Sequence, residues 1–242
     1  AQIGELLVVD FQNVRQIYGA VGIPFLADSY DEAVKLWKVQ RPLMEKKLAE
    51  QGMMVLYAVP WPPQGVYSKR PLASGADMKG LKWRAYSPAT ARIAELVGAQ
   101  PVTVQAAEVS QAFATGVTES MMSSGSTGAD AKLWEHVKYW YDTQAWLPKN
   151  AVLVNKAAFD ALDGGTKQAV LKAAADAEVR GLAASKKANT DSLEKLKAGG
   201  MQILPPSPQL KADMKKVGET MLKEWLDKAG PEGKALVDAF HK

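Results

Sequence analysis

Between residues 28 and 51, Ala33, Val34, Trp37, Met44 and Leu48 recur at helical spacing, and Asp28 or Ser29 can cap the start. Pro42 falls inside this stretch and predicts a kink or a restart. Gly52 closes the helix, and the unbroken apolar run Met53 to Val59 predicts a buried strand. The segment Pro60-Trp61-Pro62-Pro63-Gln64-Gly65 that follows reads as a shaped loop. At the start of the chain, Gln2 to Val9 reads as a strand already under way, so a natural N-terminal segment is expected to precede it.

Further along, helix and strand signals alternate. Ser74 to Gly80 predicts a short capped helical turn and Leu81 to Tyr86 a strand. Ser87-Pro88 supply the N-cap and first position of a helix that reaches Val97 and stops at Gly98. Pro101 to Val104 (strand), Ala106 to Thr115 (helix) and Val117 to Met122 (strand) continue an alternation typical of a parallel sheet covered by helices. The fold class is therefore α/β.

Thr166 to Lys197 contains no proline and places Val170, Ala174, Ala177, Gly181 and Ala188 on about one stripe. At 1.5 Å per residue such a helix runs roughly 50 Å. Its alanine-rich stripe lacks leucine heptads, so it reads as a strut between two lobes rather than a coiled-coil arm. After Leu204-Pro205-Pro206-Ser207-Pro208, an amphipathic helix over 209–228 and a short one near 233–241 read as structural cover.

Composition narrows the function. The 242 residues are 47% hydrophobic and 23% charged, enough for a sizeable core. The net charge of +4 comes from lysines spread among acids on helical stretches, which argues against a nucleic-acid partner. With no cysteine, disulfides and thiolate zinc sites are excluded, and the composition suits an oxidising compartment. Two histidines, His136 and His241, and no calcium-type acid spacing leave no expected metal site or cofactor. No apolar run approaches the roughly 20 residues of a membrane span.

Ser123-Ser124-Gly125-Ser126-Thr127-Gly128 is the one stretch that suggests a serine hydrolase, yet it lacks the usual nucleophile-elbow spacing. The same stretch can present a ligand-contacting loop. Trp61 and Trp146 stand apart from the other aromatics because each lies beside proline in a loop. Arg84 ends the strand Leu81-Lys82-Trp83-Arg84-Ala85-Tyr86, and its guanidinium fork matches a carboxylate. Local sequence alone leaves open a surface arginine on an edge strand.

The run Asp77-Met78-Lys79-Gly80-Leu81-Lys82-Trp83-Arg84, then Gly98-Ala99-Gln100-Pro101-Val102 and Glu108 through Thr115-Gly116, resembles the DctP-type substrate-binding proteins of tripartite ATP-independent periplasmic (TRAP) transporters. Pro24-Phe25-Leu26-Ala27-Asp28-Ser29-Tyr30 and the run from Trp146 to Asn155 extend the resemblance over essentially the whole chain. The resemblance implies a periplasmic-binding-protein-like two-lobe fold with a lobe-spanning helix. It divides the chain into 1–60 as the remainder of an N-terminal lobe whose first elements lie upstream, 61–160 as mainly the second lobe with crossover strands, and 161–242 as spanning and covering helices.

It also implies a periplasmic, monomeric receptor that captures a small carboxylate and delivers it to TRAP permease subunits; a ligand-sensing domain is the alternative. The family's carboxylate-pairing arginine falls on Arg84. A second position, basic in many members, is Gln64 here, and one that often carries asparagine is Ser123, with Ser124 and Gly125 beside it. Tyr86, Ser87, Trp61 and Trp146 complete the expected site. Two tryptophans in its wall favour a compact monocarboxylate, or a keto or hydroxy acid, over a sugar acid.

Overall fold

In the computed structural model, which describes residues 1–242, strand β1 (Ile3–Leu7) turns at once into a 3-10 segment over Val8–Phe11. The expected strand through Val9 is therefore shorter, because Val8 and Val9 are drawn into the core. A second 3-10 segment, Gln16–Gly22, leads to helix α1 (Tyr30–Ala49), whose N-cap Ser29 accepts the Glu32 N–H. α1 runs unbroken through Pro42 instead of restarting there. The carbonyl freed by the missing N–H belongs to Lys38, on the exposed side, where water can satisfy it.

β2 (Met53–Pro60) and β3 (Gln64–Ser68) are separated only by Trp61, Pro62 and Pro63. Gln64 and Gly65, expected in a loop, thus begin a buried strand. β4 (Lys82–Ala85) leads into α2 (Pro88–Leu96), capped by reciprocal bonds between Ser87 and Thr90, and Gly98 ends it at φ 73°. β5 (Gln100–Thr103), α3 (Val109–Ala114), β6 (Ser120–Ser124), α4 (Gly125–Asp130), β7 (Tyr139–Tyr141), β8 (Lys149–Asn155) and α5 (Lys156–Asp160) follow. The chain ends with α6 (Gly164–Ala198), β9 (Gln202–Leu204) and α7 (Pro208–Phe240). α7 is broken at Gly230, whose φ of 61° and ψ of −145° are non-helical, where the sequence separates two helices.

Two sheets organise these elements. The three-stranded sheet, in order β1-β8-β2, is antiparallel throughout. The six-stranded sheet runs β5-β4-β6-β3-β7-β9 and is mixed, not wholly parallel as the alternation suggested. Its β5-β4-β6 part is parallel, as connections through α2 and α3 require. β3 breaks the pattern by running antiparallel to both β6 and β7.

α6, 35 residues long, spans about 52 Å and joins the two sheets. A Cβ at Gly181 would sit 2.4 Å from Val59 Cγ2, so glycine is what lets α6 lie directly on β2. Toward its other end, a Cβ at Gly125 would meet Leu193 Cδ2 at 2.9 Å, seating α4 closely against the same helix. A chain with two sheets tied by one long helix is the expected two-lobe α/β architecture. α7 covers the main core, burying Met214, Val217, Met221 and Trp225, and the Trp225 indole donates to the Gln16 carbonyl at 2.7 Å.

Candidate functional site

A cavity of about 220 Å³ opens where the ends of β3, β4 and β6 meet the loop after β2 and the turn after β1. Six of the expected residues line it: Arg84, Gln64, Tyr86, Ser123, Ser124 and Trp61. The parallel pairing of Arg84 with Met121 places Ser123, two residues on, on the same face of the sheet as the arginine.

Arg84 is not on an edge strand. β4 lies between β5 and β6, and the side chain is only 4% exposed. Its Nε donates to the Val104 carbonyl at 2.9 Å, and its guanidinium carbon lies 5.0 Å from the centroid of the Tyr86 ring. No carboxylate of the chain pairs with it, and burial pulls its pKa down from the ordinary arginine value with only Tyr86 opposing. A buried cation whose terminal Nη groups lack an anion is an electrostatic demand for one.

Around that cation the polar groups are already oriented. The Tyr86 hydroxyl donates to Gln64 Oε1 at 3.0 Å, and Gln64 Nε2 donates to the Pro62 carbonyl at 3.2 Å. Gln64 is therefore a brace for Tyr86 more than a free recognition group. Burial pushes the Tyr86 hydroxyl well above its ordinary pKa, so it stays a neutral donor. On the opposite wall the Trp61 indole donates to Asn150 Oδ1 at 2.9 Å, and Asn150 Nδ2 donates to Glu5 Oε1 at 2.6 Å. That chain fixes the half-exposed Trp61 ring at the mouth.

The serines divide by role. Ser123 is buried and lines the cavity. Ser124 is spent on the fold: its Oγ accepts the Thr127 N–H at 3.3 Å as the cap of α4, and its carbonyl accepts the Tyr67 hydroxyl at 2.8 Å. Ser126 Oγ accepts from Ser192 at 3.3 Å, against α6. Each hydroxyl between Ser123 and Thr127, other than that of Ser123, is thus engaged in capping or packing.

Three expected residues lie outside the cavity lining. Gly125 makes the close approach to α6, Ser87 caps α2, and Trp146 is 2% exposed within the main core. Trp146 reaches the site through its backbone carbonyl, which accepts the Gln64 N–H at 2.9 Å, and through its indole, which lies beside the Tyr86 hydroxyl and lowers its pKa. Conversely, Asp10, Gln105, Thr127 and Asn150 line the cavity without having been expected there. Asn150 carried a signal, a polar residue at the head of an apolar strand beside proline; Asp10 carried none, since its position depends on where β1 stops.

No group of three or more His, Asp or Glu side chains is placed to hold a metal ion. No helix is long and apolar enough to cross a membrane.

Residues 2–228 match the family model DctP, described as bacterial extracellular solute-binding protein, family 7. A solute-binding protein of Albidiferax ferrireducens is 26% identical over 188 residues, covering 75% of this chain and 55% of its own length, so the chain spans about half of that curated relative. Among solved structures, DctP6 of Bordetella pertussis, an extracytoplasmic solute receptor binding pyroglutamic acid, is 58% identical with a TM-score of 0.98 over 100% of this chain and 80% of that one. A marine metagenome TRAP solute-binding protein specific for pyroglutamate is 40% identical with a TM-score of 0.96, over 100% of this chain and 79% of that one.

Proposed function

The chain belongs to family 7 of the bacterial extracellular solute-binding proteins, and from that premise we propose that it is a periplasmic receptor that captures a small monocarboxylate and hands it to a TRAP membrane permease. The observation that carries this reading is Arg84, buried at 4% exposure, facing a cavity and paired with no carboxylate of its own chain. A ligand carboxylate supplies the missing counter-charge and accepts from the two free Nη groups, a charge-assisted pairing stronger than a neutral one. Ser123 offers a hydroxyl beside it.

The cavity volume of about 220 Å³ suits a compact acid more than a disaccharide-sized solute. Pyroglutamate is the favoured candidate, since relatives at 58% and 40% identity are described as binding it. The two sheets serve as the cores of the lobes, and closure about α6 would bury the ligand and present an altered surface to the permease.

Mass spectrometry of small molecules released by denaturing the purified protein tests the reading. A stoichiometric small monocarboxylate is expected, and pyroglutamate added to ligand-free protein should raise its melting temperature. A protein that retains no acid and is stabilised by no member of a carboxylate panel would overturn it.

A further inference from the structure

Arg84 accounts for one end of a ligand; the same cavity contains a second charge that the carboxylate reading does not use. Asp10 sits on the 3-10 turn directly after β1 and lines the cavity at its rim. It forms no ion pair with Arg84 or any other cation; the residue is exposed to solvent at the mouth, and the packing on its inner side raises its carboxyl pKa with no hydrogen bond or positive charge opposing the rise. Both charges act on Tyr86: Arg84 lowers the pKa of its hydroxyl while Asp10 raises it. Among the other polar groups nearby, Gln64 is committed to Tyr86 and Pro62, and Asn150 to Trp61 and Glu5, while Ser123 stays free.

A cavity with an unpaired cation at its floor and an unpaired carboxylate at its rim is polarised. A ligand that fills it places its own carboxylate at Arg84, and a ligand group that displaces water from the exposed Asp10 must itself be a hydrogen-bond donor. A second ligand carboxylate in that place would meet a like charge and be rejected. An ether or ester oxygen there would set acceptor against acceptor.

We propose that Asp10 determines specificity in this site by accepting a hydrogen bond from an N–H of the ligand, so that the receptor selects monocarboxylates bearing such a donor, lactam acids among them, over oxygen isosteres and dicarboxylates. The inference rests on the carboxylate reading of Arg84 and extends it from one end of the ligand to both.

Calorimetric titration with three probes tests it: pyroglutamate, its ring-oxygen isostere 5-oxotetrahydrofuran-2-carboxylate, and glutarate. The wild-type protein should bind the lactam at least tenfold more tightly than the isostere and glutarate most weakly. Asp10→Ala should weaken the lactam about tenfold, bring its affinity near that of the isostere, leave the isostere unchanged and improve glutarate. Asp10→Asn, which keeps an acceptor oxygen without the charge, should retain part of the lactam preference. Circular dichroism melts of both variants check that they fold.

Equal wild-type affinities for lactam and isostere, or a preference that survives in folded Asp10→Ala, would overturn the role of Asp10 while leaving the carboxylate reading intact. Wild-type protein that binds none of the three probes would instead sink the carboxylate reading, and the Asp10 inference with it.

Discussion

Arg84 and Arg92 lie eight residues apart, on β4 and on α2, and each borders a cavity; their charges are handled in opposite ways. Arg92 borders the larger hollow, about 710 Å³ between α2 and α7, and is 39% exposed at its side chain. It bonds Glu224 at 2.6 and 3.0 Å and Glu95 at 2.8 Å, which push its pKa up. Arg84 borders a cavity less than a third that size, is buried, and meets a carbonyl and an aromatic face but no carboxylate. The arginine at the larger hollow is paired with carboxylates, and the one at the smaller cavity is not. Unsatisfied charge, rather than volume, sets the proposed ligand site apart from a groove between helices.

The largest expected effect breaks that contrast at the unpaired member. Arg84→Ala should weaken carboxylate binding by about 3 kcal/mol, more than a hundredfold, because the ligand's charge would be desolvated without a partner. The ligand-free variant should melt no lower than wild type, since an uncompensated buried cation has been removed. Calorimetry together with denaturant unfolding of the ligand-free protein separates the two effects. Unchanged affinity would mean that the carboxylate is held elsewhere.

Lys149 tests whether burial of a lone cation is sufficient to mark a site. It is 2% exposed at the head of β8, its Nζ lies 5.3 Å from the Trp37 ring centroid, and burial lowers its pKa to about 8. Glu178 attracts it from α6 but is held by the Trp37 indole at 3.0 Å and by Arg41 at 3.1 Å. The void beside it, about 10 Å³, has room for one water at most. Lys149 is thus an internal cost rather than a receptor group.

Its folded pKa lies below the ordinary 10.5 of the unfolded chain, so between about pH 8 and 10.5 the unfolded state holds more protons. Stability should therefore rise with pH through that window. Lys149→Met should flatten that rise and, at pH 7, stabilise the fold by on the order of 2–3 kcal/mol, with ligand affinity unchanged. Denaturant unfolding from pH 7 to 10.5 measures both. A variant less stable at pH 7 would show that the Trp37 and Glu178 contacts outweigh desolvation.

What the sequence made legible follows the same division between local and assembled features. Helices α1, α2 and α6 and the break at Gly230 rest on caps, periodicity and glycine, all encoded within a few residues of where they act. β3 was hidden because Gly65 reads as a loop residue; glycine is needed there because a Cβ would lie 2.4 Å from the Trp140 ring. β6 begins three residues later than its apolar content suggests, since Val117 is 45% exposed whereas Ser120, Ser123 and Ser124 are buried. At the cavity, the family motif singled out Arg84, yet only the strand order shows it to be interior. Trp146 packs in the core behind the cavity lining, its indole beside Tyr86, a placement its neighbours in the sequence do not announce. Asp10 depends on a strand ending one turn early, a consequence of packing that no residue near it announces.

The smallest expected effect lies at the satisfied member of the pair. Arg92 and its acids are largely exposed, where solvent screens the attraction and ordering two long side chains offsets much of it. Arg92→Ala should cost within about 1 kcal/mol of stability. It should leave carboxylate affinity unchanged, although the residue borders the larger cavity. Raising the salt concentration should shrink the stability difference further, since screening already weakens these pairs. If Arg92→Ala instead reduced carboxylate binding as strongly as Arg84→Ala, a completed set of ion pairs would have to open for the ligand. Charge satisfaction would then cease to separate the two cavities, so calorimetry on both variants side by side decides whether the contrast holds.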